Sequence, residues 1–337
     1  MLSNLETTPS LSVIICTYGR SEALGELLIA LNAQAYGRFE VLIIDGNEGV
    51  SPARMAVEEF LSGSKPAFPL KIIRSEKGLT RQRNVGLRAA TGDLLCFLDD
   101  DVTFDAKFLL DAAQFFADPN AATVGGMTPY DMLGYPLPVT LRWRLRAALG
   151  VMPGSNPGNV DHVGRAVPIA FLKPFTGCHP VGWLPGFCMI YRRAAVSGLE
   201  FDELLPTYAG EDRDFSMRVG QSWRLLICGD LKIQHHYTPQ GRDSGLGRLR
   251  ESSFGAGRRF AKYSSGAADC ITMLKVLAGD FIVDIIAFLR RPGHESFLTI
   301  GVRMGAFFKG LRSANNPIPR QKGSPAVSAE REEILSR

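Results

Sequence analysis

Short apolar runs rich in β-branched residues alternate with segments of helical periodicity through the first part of the chain. The run LSVIICTY at residues 11–18 is followed by Leu24, Leu27, Leu28 and Leu31 at helical spacing, then by a second apolar run, FEVLIIDG, at residues 39–46. Both runs are apolar at consecutive rather than alternate positions, the pattern of strands covered on both faces. They therefore read as the parallel pair of a βαβ unit. The rhythm continues with a helix at 53–61, the strand LKIIRS, a helix across TRQRNVGLRAATG, the strand DLLCFLDDD, a helix at 105–117 and a short strand in ATVGG. The class predicted is α/β: a Rossmann-like, mixed but mostly parallel sheet flanked by helices.

From 127 to 185 the periodicity fails, and prolines and glycines accumulate around LRWRLRAAL. Irregular segments of this length on a rigid scaffold commonly carry recognition. Regular structure returns with GFCMIYRR, GEDRDFSMRVG, WRLLIC and LKIQHHY, after which the chain turns helical and basic. The division expected is a tail at 1–10, a first half at 11–126, a second half at 127–240, a helical extension at 241–314, and a loosely ordered tail at 315–337 rich in Pro, Ser, Lys, Arg and Glu.

With 337 residues, 45% of them hydrophobic, the chain can bury a large core. The net charge of +4 is too small to argue for a nucleic-acid partner. Six cysteines occur without a C-x-x-C pair, three of them inside apolar runs, which reads as reduced core thiols rather than a disulfide frame or zinc site. The opening MLSNLETTPS has neither a basic nor an apolar leader region, so neither secretion nor an N-terminal anchor is expected. The compartment expected is cytoplasmic.

The chemistry concentrates at strand ends, where open parallel sheets bind ligands. Tyr18, Asp45 and the triplet Asp99, Asp100 and Asp101 all fall at such ends. Three adjacent carboxylates repel one another unless a cation stands among them, and hard oxygen ligands suit Mg²⁺ or Mn²⁺. Further on, Glu211, Asp212 and Asp214 occupy the first turn of a helix, where carboxylates either cap or serve as a base. His235 and His236 are adjacent on a strand, so their rings point to opposite faces and at most one joins the aspartates easily.

In order and approximate spacing, SVIICTYGR, VLIIDG, TRQRNVGLRAATGDLLCFLDDD, LPGFCMIYRRAAV and GEDRDFSMR resemble family 2 glycosyltransferases of the GT-A fold, over roughly residues 10–240. The resemblance implies that Thr17 and Tyr18 line a nucleotide-base pocket, and that Asp45 accepts a hydrogen bond from the base. It places Arg81 or Arg83 against the diphosphate. Asp99 and Asp100 would lie on the donor side, Asp99 on ribose or metal, with Asp101 as the main metal ligand and a histidine, His235 or His236, completing the site. Asp212 would be the catalytic base, with Glu211 as its positioning partner. Gly19 stands where the family often has Asn, and Ile44 where it often has a second Asp, so the base is left open.

The activity this implies is metal-dependent, inverting transfer from a nucleotide-sugar donor to a lipid-linked or cell-envelope glycan acceptor. A nucleotidyltransferase is the alternative, against which stands the lack of a glycine-rich phosphate loop in CTYGRSEAL. A non-catalytic scaffold of the same fold would be expected to have lost one of the carboxylates.

In the C-terminal part Leu274, Leu277, Ala278, Phe281, Ile282, Ile285, Phe288 and Leu289 form an apolar helical stripe, with Thr272, Lys275, Asp280 and Asp284 on the other side. Beside it lie Arg290, Arg291, Arg303, Lys309 and Arg312. This suits a helix lying in an anionic membrane surface, peripheral on the inner face of the cell membrane, better than a span; a core or oligomer-forming helix is the alternative. Arg248, Arg250, Arg258, Arg259 and Lys262 are read as further contacts to lipid phosphates or to the leaving diphosphate.

Overall fold

The computed structural model describes residues 8–237 and 245–313; the expected tail at 315–337 lies outside the described residues, as do residues 1–7. The first half alternates as expected: β1 (Leu11–Thr17), α1 (Ser21–Asn32), β2 (Phe39–Asp45), α2 (Pro52–Gly63), β3 (Leu70–Arg74), α3 (Leu79–Ala89) and β4 (Leu94–Leu98). Every residue of β2 and β4 is buried, which is why these strands carry no polar alternation. Helix α2 begins where Ser51 accepts a hydrogen bond from the Arg54 N–H (3.0 Å) and Pro52 occupies the first turn.

Next come β5 (Val102–Thr103), α4 (Phe108–Ala117), β6 (Val124–Asp131), α5 (Leu141–Ala148), β7 (Cys178–Val181), β8 (Cys188–Arg192), α6 (Glu211–Val219) and β9 (Arg224–His235). The sheet order is β3-β2-β1-β4-β8-β6-β9-β5, with β7 on β9. The pairs from β3 to β4 are parallel, while β8 joins β4 and β6 antiparallel. Parallel register sets Thr17 beside Asp45 and Ile15 beside Leu98, so β1, β2 and β4 end side by side.

Two expectations need correction here. The strand read in ATVGG runs on to Asp131, because Met127, Thr128 and Tyr130 pair with β9 despite Pro129. And Cys178 and Cys228 are joined by a disulfide: they face each other directly across the antiparallel β7/β9 pair, with Cα atoms 4.0 Å apart. Fifty residues separate them in sequence, so spacing gave no hint, and cysteine usage no longer speaks for a reducing compartment. Cys16, Cys96, Cys188 and Cys270 are free thiols.

The extension folds as α7 (Gly245–Tyr263), α8 (Ala267–Arg290) and α9 (His294–Arg312). Helices α7 and α9 touch backbone to backbone: a Cβ at Gly257 would lie 2.0 Å from the Phe307 carbonyl oxygen, and one at Gly310 2.0 Å from that of Phe254. Three basic residues expected to face lipid or diphosphate point inward instead. Arg258 makes a bidentate pair with Asp202 (2.8 and 3.0 Å), Lys262 donates to Asp214 (2.6 Å), and Arg259 donates to the carbonyls of Ala209 and Gly210. Buried cations need such partners, and here the partners belong to the segment leading into α6 and to α6 itself.

Helix α8 buries Asp280 and Asp284 on the same side as Met273 and Val276. Asp280 accepts from Arg142 (2.8 and 3.0 Å) and Arg146 (2.8 Å) of α5, and Asp284 accepts from Arg303 (2.7 and 2.9 Å) of α9, so Arg303 too is internal. Leu274, Phe281, Ile282 and Leu289 are 45–72% exposed. Among the described residues no helix is long and apolar enough to cross a membrane.

Candidate active site

At the joined ends of β1 and β4, Thr17 donates its hydroxyl to Asp100 (2.7 Å), and Arg20 donates to Asp100 (2.8 Å) and Asp101 (3.4 Å). Arg20 was not picked out from the sequence; it closes the CTYGR run and has no local signal beyond that. Asp101 is buried, while the Asp99 side chain remains one-third exposed. Partial burial pushes the Asp99 carboxyl up to about 6, and Asp101 and Asp100 push the same way against the Arg83 guanidinium.

The antiparallel pairing of β5 with β9 sets Val102 against His235 and so brings this histidine to the triplet. Its Nε2 lies 3.1 Å from Asp101 Oδ1 and 3.8 Å from Asp99 Oδ2. The ring is held between Phe187 and Tyr237, with centroids at 5.3 and 3.9 Å, and Asp131 fixes this frame by accepting from the His235 N–H and the Tyr237 hydroxyl. Sequence reasoning missed Asp131 because β6 was expected to stop short of it. His236 is turned away, its Nε2 2.8 Å from the Thr103 hydroxyl.

Asp99, Asp101 and His235 each offer a ligand atom, all within 4.8 Å of one another. Neither ring nitrogen of the buried His235 makes a hydrogen bond. Two hard carboxylates and an imidazole left without hydrogen bonds fit a divalent cation such as Mn²⁺ or Mg²⁺.

Arg83 connects this cluster to α6. One guanidinium nitrogen donates to Glu211 (3.0 Å), the other to the Gly186 carbonyl (3.0 Å), the latter also standing 3.9 Å from Asp99. Burial and the neighbouring Asp212 charge push Glu211 up to about 7, against Arg83. The carboxylate of Asp212 accepts from the backbone N–H groups of Gly186 (3.0 Å) and Arg213 (2.7 Å). Gly186 thus ties Arg83 and Asp212 together.

Other expected residues stand further off. Arg81 pairs with Glu76 (2.9 Å) and Glu203 (3.7 Å), outside this cluster. Tyr18 is 41% exposed beneath the Lys77 ammonium, 4.0 Å from the ring centroid. Asp45 accepts from Asn47, through N–H and side chain, and from the Ser51 hydroxyl, which holds the turn into α2. Gln82, overlooked between two arginines, bridges the carbonyls of Thr17 and Ile44 (3.0 and 2.8 Å) and so locks β1 to β2 at the crevice.

A mixed sheet flanked by helices, with carboxylates gathered at its strand ends, matches the architecture of the GT-A fold. Residues 12–199 match the family model "Glycosyl transferase family 2". An uncharacterised glycosyltransferase of Haemophilus influenzae is 41% identical over 28% of the chain and 30% of its own length. One of Mycobacterium tuberculosis is 33% identical over 76% of the chain and 84% of its own length. The amylovoran biosynthesis glycosyltransferase AmsB of Erwinia amylovora is 36% identical over 27% of the chain and 31% of its own length.

Among solved structures, a mannosyltransferase of Pyrobaculum calidifontis in complex with GDP-Man and Mn²⁺ superposes with TM-score 0.54 at 15% identity, covering 91% of this chain and 87% of that one. TarS 1-349 of S. aureus in complex with UDP-GlcNAc gives TM-score 0.55 at 19% identity, covering 90% and 81%. The chain belongs to glycosyltransferase family 2. The match spans only about a third of the Haemophilus and Erwinia relatives' length.

Proposed function

We propose that the protein is a metal-dependent, inverting glycosyltransferase that moves a sugar from a nucleotide-sugar donor to a hydroxyl of a lipid-linked or cell-envelope glycan. The observation that carries this reading is the Asp99–Asp101–His235 cluster, joined through Arg83 and Gly186 to Glu211 and Asp212. Asp99, Asp101 and His235 would hold Mn²⁺ or Mg²⁺, which when bound neutralises charge on the leaving diphosphate. The GDP-Man and UDP-GlcNAc bound by the two solved relatives support a nucleotide-sugar donor, and the Mn²⁺ of the first supports the metal.

Asp212 takes the proton of the acceptor hydroxyl as its oxygen bonds to the sugar's anomeric carbon and the bond to the diphosphate breaks. Two backbone N–H groups orient that carboxylate, and Arg83 holds Glu211 beside it. A single carboxylate placed as base, Asp212, supports direct displacement with inversion. The outward apolar stripe of α8, with exposed Arg290, Lys309 and Arg312, supports a workplace on an anionic membrane surface.

Calorimetric titration of UDP and GDP with and without Mn²⁺ tests the core of the reading. One of the two should bind in a metal-dependent way. His235→Ala should weaken that binding at least about tenfold and His236→Ala should leave it unchanged. Equal metal-dependent binding by wild type and His235→Ala would refute the metal assignment.

A further inference from the structure

A cavity of about 1260 Å³, lined by none of the carboxylate-cluster residues, lies between α9 on one side and the Lys77–Gly78 turn, residues 203–207 and α7 on the others. Its lining is mostly apolar, with Leu79, Leu205, Phe254, Leu298 and Val302 among it. Along α9 the lining positions Leu298, Gly301, Gly305 and Lys309 recur at helical spacing, so the groove follows roughly 16 Å of one helix face.

The two ends of that face differ. At one end Phe297 touches Phe288 of α8 (centroids 6.4 Å apart), which joins the groove to the exposed apolar stripe. At the other stands Lys309, and the turn of α7 next to Gly310 carries Arg250 and Phe254. Four basic residues line the groove (Lys77, Arg81, Arg250, Lys309) against two acidic ones (Glu203, Glu251), and Arg81 is already held by Glu76 and Glu203. Lys77 also covers the Tyr18 ring, so the groove and the strand-end crevice share a wall. Residues 203–207 lead within five positions to Asp212.

We infer that this groove binds the apolar chain of an anionic lipid, with its phosphate at the basic end. The inference rests on the glycosyltransferase reading above and deepens it: the acceptor would be a lipid phosphate or a glycan carried on one. An apolar floor continuous with a membrane-facing stripe receives the chain, and lysine and arginine at the far end complement the head. Gly301 and Gly305 lie in the middle of α9, where glycine weakens a helix, yet a Cβ at either would meet no atom within 4 Å. What they provide is depth in the groove.

That open space supplies the test. Gly305→Leu starts a side chain from open space in the groove, improves helix propensity, and alters no residue of the α8 stripe or the carboxylate cluster. Decyl phosphate, below its micelle concentration, is titrated by calorimetry into wild type, Gly305→Leu and Lys309→Ala, with inorganic phosphate and decanol as separate titrants. Wild type should bind decyl phosphate at least tenfold more tightly than either other titrant, and both variants should lose at least tenfold. Unchanged binding by Gly305→Leu, with wild-type circular dichroism, would overturn the groove. Equal binding of decanol and decyl phosphate would overturn the anionic head. UDP and GDP titrations on the same samples separate the two readings: absent lipid binding by wild type that still binds donor sinks only the groove, while absent donor binding in wild type sinks the glycosyltransferase reading.

Discussion

The burial of Asp280 and the exposure of Leu274 on α8 make a paired prediction in which the polar substitution is harmless and the loss of a charge is not. Asp280→Ala removes the carboxylate shared by Arg142, Arg146 and Arg303, leaving Arg142 and Arg146 without it and Arg303 with Asp284 alone. Burial and the nearby Arg142 already pull Arg146 down to about 10, so the cluster has little tolerance for uncompensated charge. Breaking a buried ion pair costs about 3–5 kcal/mol. Arg142 is 38% exposed and can turn to water, and Arg303 keeps Asp284, which reduces the expected loss to about 2–4 kcal/mol. For a chain of this size that is a fall in Tm of about 3–6 °C.

Leu274→Asp alters a side chain that is 65% exposed on the other face and should stay within about 0.5 kcal/mol of wild type. Thermal unfolding followed by circular dichroism, with urea titration of the same proteins, reads both. If Leu274→Asp proved the costlier change, the apolar stripe would face the interior and the membrane reading would lose its support.

Asp212→Asn should leave donor and Mn²⁺ affinity near wild type while transfer falls by roughly a hundred- to ten-thousandfold, measured by titration and a transfer assay on one preparation. Retained transfer would leave Asp212 a structural acceptor for the Gly186 and Arg213 N–H groups. Flotation with anionic vesicles should carry wild type but not a Leu274→Asp, Phe281→Asp double variant; equal flotation would exclude the stripe as the membrane contact. Asp214 is held below the usual carboxylate range: burial works against this, but Arg218 and Lys262 outweigh it. A depressed folded-state pKa stabilises above the unfolded value of about 3.9 and is lost as pH falls through the folded one. Wild type should therefore lose stability below about pH 4 more steeply than Asp214→Asn, which is weaker at neutral pH. Parallel pH profiles in urea unfolding would contradict this.

The gathering of strand ends was legible in the sequence, because consecutive apolar runs separated by helices read as parallel strands, and parallel strands end side by side. That rule alone places Tyr18, Asp45 and the aspartate triplet at neighbouring strand ends. Which neighbour within a pair enters the site was not legible. Arg83 rather than Arg81 reaches Glu211 and comes near Asp99, since two positions on a helix differ by more than half a turn. His235 rather than His236 reaches Asp101, since β9 pairs with β5 in one register and adjacent side chains take opposite faces.

The Cys178–Cys228 bond likewise depends on two strands meeting that are fifty residues apart. The sharpest division lies in α8. Periodicity establishes that the helix has an apolar and a charged side, but which side turns inward depends on what it meets. Here α5 and α9 present guanidiniums, so Asp280 and Asp284 are buried beside Met273 and Val276, while Leu274, Phe281, Ile282 and Leu289 face out.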